Sequence, residues 1–162
     1  MKISPSAGAL LQASLDLYED NFDRASSVAL AVNTSQSESL AKHQRNVLSN
    51  IGHALISEKK MAQAEKIFQE LCQRFPDSIH SFYGLGKTLQ EQGKVKDALP
   101  HLEKSLAIEA NANVLYRLGK AWQSLGDKMK AIAAFEKALS FKPELAKKTK
   151  ADAEEQLKAL RG

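Results

Sequence analysis

The chain of 162 residues has a single cysteine, four prolines, eight glycines, and aromatic side chains at only 6% of its positions. Each scarcity removes a class of protein. Cys72 has no partner within the chain, so no disulfide framework is possible, and its place in the apolar run Ile67 to Phe75 assigns it to packing. With 43% hydrophobic and 26% charged residues, the composition fits a helical globular protein, not a disordered or all-β one. No window approaches the roughly 18 to 20 apolar residues that span a bilayer. The amino terminus also lacks the charged stretch and long apolar run of a secretory leader. A cytoplasmic location without a membrane partner is therefore expected.

Chemistry-bearing patterns are equally sparse. The histidines, His43, His53, His80 and His101, show neither His-x3-His nor Cys-x2-Cys spacing, so no metal ligand set is read. Gly84-Leu85-Gly86-Lys87 has a superficial likeness to a phosphate loop but no strand before it. Nothing suggests a nucleophilic triad with an oxyanion hole. The expectation is a protein that is not an enzyme and has no cofactor. A net charge of +4 and a pI near 9.1 would suit nucleic acid, yet the lysines alternate with glutamates along helical faces instead of forming a block, so no nucleic-acid partner is expected.

Periodicity is what the chain does have. Glycines with matched flanks recur at Gly52, Gly86 and Gly119, 34 and then 33 residues apart, the period of stacked helical hairpins. Around the last of them stand Leu115, Leu118, Trp122, Ala131, Phe135, Ala138 and Pro143. Around Gly86 stand Phe82, Leu85, Leu89, Gly93, Ala98 and Leu102, and around Gly52 stand Leu48, Ile51, Leu55, Ala64, Phe68 and Pro76. These positions resemble the tetratricopeptide-repeat motif, with Ala110 where the family usually has proline.

The resemblance implies an all-α fold: helical hairpins stacked as a right-handed α-solenoid with a C-terminal capping helix. The expected single domain, 1–162, has a degenerate hairpin at 7–33 and a polar linker or helix extension at 34–44. Repeats follow at 45–78, 79–111 and 112–145, and the capping helix at 146–162. Seven or eight helices are expected. Small Gly and Ala let paired helices approach while large residues fill the space between hairpins. Gly93-Lys94 and Gly126-Asp127 read as turns within hairpins, the first hairpin's turn reads as one residue shorter, and Ser35-x-x-Glu38 as a capping box. Pro100, well inside a helix, should remove a backbone bond and bend it.

At about 100° per residue, repeat positions 4, 7, 8 and 11 share the packing direction of each first helix, while 2, 5, 6, 9 and 13 point the other way. In tetratricopeptide proteins that second face lines a concave groove. Positions 2, 5, 6 and 9 carry Asn46, Ser49, Asn50 and His53, then His80, Tyr83, Gly84 and Lys87, then Asn113, Tyr116, Arg117 and Lys120. This set is polar, aromatic and cationic with no carboxylate, and the Tyr-Lys pair recurs at equivalent positions. The candidate partner-binding residues are thus Asn50, His53, Tyr83, Lys87, Asn113, Tyr116, Arg117 and Lys120. They suit a protein or peptide partner with acidic residues or a free C-terminal carboxylate.

Co-chaperones that hold the carboxylate tail of heat-shock chaperones use a lysine and asparagine in one repeat, an asparagine in the next and a lysine and arginine in the third, at positions where this chain has Ser49, His53, Gly84, Asn113 and Arg117. Only Arg117 agrees. Phe68-Gln69-Glu70-Leu71-Cys72 and Phe82-Tyr83-Gly84-Leu85-Gly86, with Gln90 and Gly93, are similar to the small type III secretion translocator chaperones, which are typically acidic where this chain is basic. The expected function is a protein–protein interaction module. A small chaperone of a secreted or assembling protein is the alternative. An adaptor domain of a larger enzyme is a further one, which the methionine start and self-contained capping helix argue against.

Overall fold

A computed structural model describes residues 4–35 and 37–162. Among these residues there are nine helices and no strand, one helix more than the upper expectation of eight, although the expected first hairpin, three repeats and capping helix themselves add up to nine. The chain divides into two compact units, Met1–Pro76 and Asp77–Gly162.

The first unit holds α1 (Pro5–Tyr18), α2 (Phe22–Ala31), α3 (Glu38–Ser57) and α4 (Met61–Arg74). Leu10, Ala13, Ala25, Ala29, Leu48, Ile51, Leu55, Ala64, Phe68 and Leu71 form its buried interior, following the helical period of each element. Pro5 occupies the first turn of α1, where a missing N–H costs nothing, and Ser4 accepts from the Ala7 amide. The polar stretch after α2 is mostly an N-terminal extension of α3. Ser37, not Ser35, caps that helix, its Oγ accepting from Leu40 N at 3.2 Å, while the Ser35 amide donates to Asn33 Oδ1. Gln36, inside the expected capping box, lies outside the described residues. What fastens this connection is Gln44, 1% exposed, whose amide donates to the carbonyls of Ala29 and Val32 at 2.7 and 2.8 Å. Those carbonyls end α2 and have no helical partner of their own.

The second unit holds α5 (Ile79–Glu91), α6 (Val95–Ile108), α7 (Ala112–Ser124), α8 (Lys128–Ser140) and α9 (Lys147–Arg161). Leu102, Val114, Leu118 and Ala121 form one buried cluster, and Ala112, Leu115, Ala131, Phe135, Ala138, Leu145, Ala153 and Leu157 another. Ala153 and Leu157 come from α9, which thus closes the apolar side of the last hairpin as a capping helix does. The helix α6 continues through Pro100, whose ring is exposed.

Every hairpin turns through a residue with positive φ: Asp20 (58°), Lys59 (57°), Gly93 (77°) and Gly126 (80°). The first turn, Glu19 to Asn21, is therefore no shorter than the others, and its left-handed step is made by Asp instead of Gly. The repeated glycines have a different reason. A Cβ at Gly52 would stand 2.6 Å from the Phe68 ring, at Gly86 2.7 Å from Leu102 and at Gly119 2.7 Å from the Phe135 ring. Each of these three hairpins closes around a large side chain that needs the bare backbone opposite.

Candidate functional site

The second unit brings six of the sequence-predicted residues onto α5 and α7. Tyr83 and Lys87 lie one turn apart on α5 and are half-buried, while Asn113, Tyr116, Arg117 and Lys120 run along α7. Asn113 is exposed, and its amide donates to Asn111 Oδ1 in the cap of α7. Arg117 is the best buried of the cations, its side chain 21% exposed, with Nη1 2.8 Å from Glu91 Oε1. Burial alone would pull the guanidinium down, but the hydrogen bond and charge of Glu91, together with Tyr83, hold it above its ordinary value. Gln90 fixes the two helices by donating to the Arg117 carbonyl at 2.8 Å.

Lys87 stands in a different situation. Burial and the neighbouring positive charge of Arg117 push its ammonium below the usual lysine range, only partly offset by Glu91. It makes no hydrogen bond or ion pair with a described residue.

The Tyr116 and Lys120 end of the face is already engaged. Tyr116 donates its hydroxyl to Asp152 Oδ2 of α9 at 2.5 Å, and Lys120 Nζ lies 3.8 Å from the same oxygen. The Tyr116 phenol is pushed up to about 12 by burial and by this bond to a carboxylate. Asp152 is correspondingly held low, first by the Tyr116 hydroxyl and then by Lys120, against its own burial. Gln123 and Gln156 join α7 to α9 at 2.8 Å, and the Tyr116 ring rests against Phe135.

The face is thus not free of carboxylates. Glu91 stands at position 13, one turn beyond the positions read for each repeat, so following the same stripe to its end would have found it. Asp152 had no comparable signal, because it reaches α7 from a helix outside the repeats. In the first unit Asn50 is exposed and His53 half-buried, its ring edge-on to Phe68 with centroids 5.2 Å apart. The His53 ring is therefore partly committed to the hairpin's own packing. Among the described residues no group of three or more His, Cys, Asp or Glu could hold a metal ion, and no helix is long and apolar enough to cross a membrane.

Tetratricopeptide-repeat profiles match residues 47–78, 79–109 and 112–145, together more than half of the sequence. The chain belongs to the tetratricopeptide-repeat family, whose arrays are protein–protein interaction modules. No curated protein matches its sequence. The crystal structure of MamA resembles it with a TM-score of 0.70 at 20% identity, covering 96% of this chain and 88% of that one. MamA 41-end from Desulfovibrio magneticus RS-1 gives 0.66 at 23% identity, with 99% and 97% covered. The Yersinia enterocolitica type III secretion chaperone SycD, in complex with a peptide of the translocator YopD, gives 0.67 at 20% identity, with 80% and 97% covered. At these identities the likeness is one of fold.

Proposed function

We propose that the α5–α7 face of the second unit binds an acidic stretch or a free carboxylate of a partner polypeptide. In this reading the chain is a non-enzymatic adaptor acting in the cytoplasm, with neither nucleic acid nor membrane as its partner. The observation that carries the reading is Lys87, a half-buried ammonium beside Arg117 whose burial and like-charge repulsion are only partly offset by Glu91, a carboxylate it shares with Arg117. A carboxylate placed there would relieve the repulsion between the two cations and replace lost hydration with a charge-assisted hydrogen bond. Tyr83 adds a rigid contact surface on the same helix. Tyr116 and Lys120 contribute less than their position suggests, because Asp152 already occupies them. Asn50 and His53 of the first unit belong to the reading as further partner contacts, Asn50 the more available of the two.

The test is titration of a glutamate-rich peptide with a free carboxyl terminus. Lys87→Glu should weaken binding by about tenfold or more at low salt, and the loss should shrink as salt rises. Tyr83→Ala should weaken it at every salt concentration, since its contribution is contact area. Unchanged affinity in both folded variants would move the site off this face. A second reading, a small chaperone of a secreted or assembling protein, is favoured by the peptide-bound state of SycD. Retention of a single secreted protein from the source lysate would support it.

A further inference from the structure

Three of the four large apolar side chains that the described residues leave exposed lie on α1: Leu11 at 48%, Leu15 at 57% and Tyr18 at 89%. They form one stripe. With Ser4 and Gly8 they follow alternating steps of four and three residues, the spacing of a seam between two helices, on the side of α1 opposite the buried Leu10 and Ala13. The helix exposes no charge: its one acidic residue, Asp16, is 1% exposed and lies against Gln12 and Arg24.

Gly8 is a second and independent feature. Unlike Gly52, Gly86 and Gly119, it has nothing within 4 Å of where its Cβ would be. A glycine inside a helix costs about 1 kcal/mol relative to alanine, and no contact among the described residues explains this one. A bare backbone on an apolar seam is suited to a side chain arriving from outside.

We infer that α1 is a self-association surface on which two copies of this chain pack antiparallel about a two-fold axis at the level of Ala13. A two-fold contact requires that residue i meet j and j meet i, and the stripe satisfies this in size. Leu11 of one copy falls opposite Leu15 of the other, and Gly8, the smallest residue, opposite Tyr18, the largest and most exposed. Charge agrees as well. The exposed Glu19 and Asp20 at the end of one α1 come beside the amino-terminal end of the other, where the helix dipole is positive and the first turn has no acidic residue of its own. Each copy carries a net charge of +4, so two copies meet most readily through a face on which the described residues of α1 carry no cation. An unrelated partner has no reason to match both the size order and the polarity of α1.

Analytical ultracentrifugation of the full chain over a range of concentrations tests this. The wild type should pass from monomer to dimer, and Leu15→Glu should weaken dimerisation by about tenfold or more, as expected of a central interface residue. Gly8→Leu should do the same while its melting temperature, measured on dilute protein, stays equal or rises, because the new side chain meets nothing in its own copy. Mixing Gly8→Cys with Tyr18→Cys, each in a Cys72→Ser background, should give an oxidised cross-link faster than either variant alone. A chain that stays monomeric at the highest concentrations reached overturns the inference. So does a dimer indifferent to Leu15→Glu and Gly8→Leu, or one that cross-links preferentially between two copies of Gly8→Cys.

Discussion

Replacing Gly119 and Gly8 separately by alanine puts the packing logic of the hairpins to a quantitative test. Both glycines lie inside helices, so both substitutions reduce the entropy of the unfolded chain and raise helix propensity, a gain of about 0.5 to 1 kcal/mol in each case. At Gly8 nothing stands within 4 Å of the added carbon, and the gain should appear unopposed. At Gly119 the same carbon would sit 2.7 Å from Phe135 Cε1 and 2.8 Å from its Cδ1. Phe135 is fully buried, so its ring must move against a packed interior, which costs about 1 to 3 kcal/mol. The common propensity gain cancels in the comparison. Each kcal/mol shifts the midpoint of a domain this size by about 2 to 4 °C, so Gly119→Ala should melt roughly 2 to 12 °C below Gly8→Ala. Thermal unfolding by circular dichroism on dilute protein measures the difference. Adding Phe135→Leu to Gly119→Ala should give less than the sum of the two separate losses, because the smaller side chain makes room for the methyl group. Equal stabilisation by both alanines would show that Gly119 does not hold the hairpin closed through Phe135.

Gln44→Leu removes two donors from the buried carbonyls of Ala29 and Val32 and should cost roughly 1 to 3 kcal/mol for each group left unpaired, visible as a lower urea midpoint. Spectrophotometric titration should show one phenol ionising near 12, absent from Tyr116→Phe. Because the folded state holds that proton more tightly than the unfolded one, Tyr116 should make stability fall as pH rises from about 10 towards 12, and the slope should be shallower in Tyr116→Phe. The Cys72 thiol, pushed up to about 12 by burial, should react slowly with thiol reagents at neutral pH and quickly once the protein is unfolded.

The repeated hairpins were legible in the sequence because their determinants are local or periodic. A glycine and a large residue recur at fixed spacings, so the repeat positions of Gly52 and Phe68, Gly86 and Leu102, and Gly119 and Phe135 were legible. The expectation from sequence has the large residues fill the space between hairpins, and only the fold shows each closing on the glycine of its own hairpin. The direction of Tyr83, Lys87, Tyr116, Arg117 and Lys120 followed from the helical period in the same way. Tertiary structure decided which of those side chains remain available. Asp152 arrives from a capping helix with no repeat partner, and only the packing of Ala153 and Leu157 against the last hairpin places its carboxylate at Tyr116 and Lys120. Gln44 likewise looks like any polar helical residue until the end of α2 is laid beside it. The left-handed turns at Asp20 and Lys59 carry no glycine to announce them, because there the closure of the hairpin imposes the conformation on the residue. Periodic burial is written along the chain, whereas a contact between non-equivalent helices depends on a meeting in space that no spacing encodes.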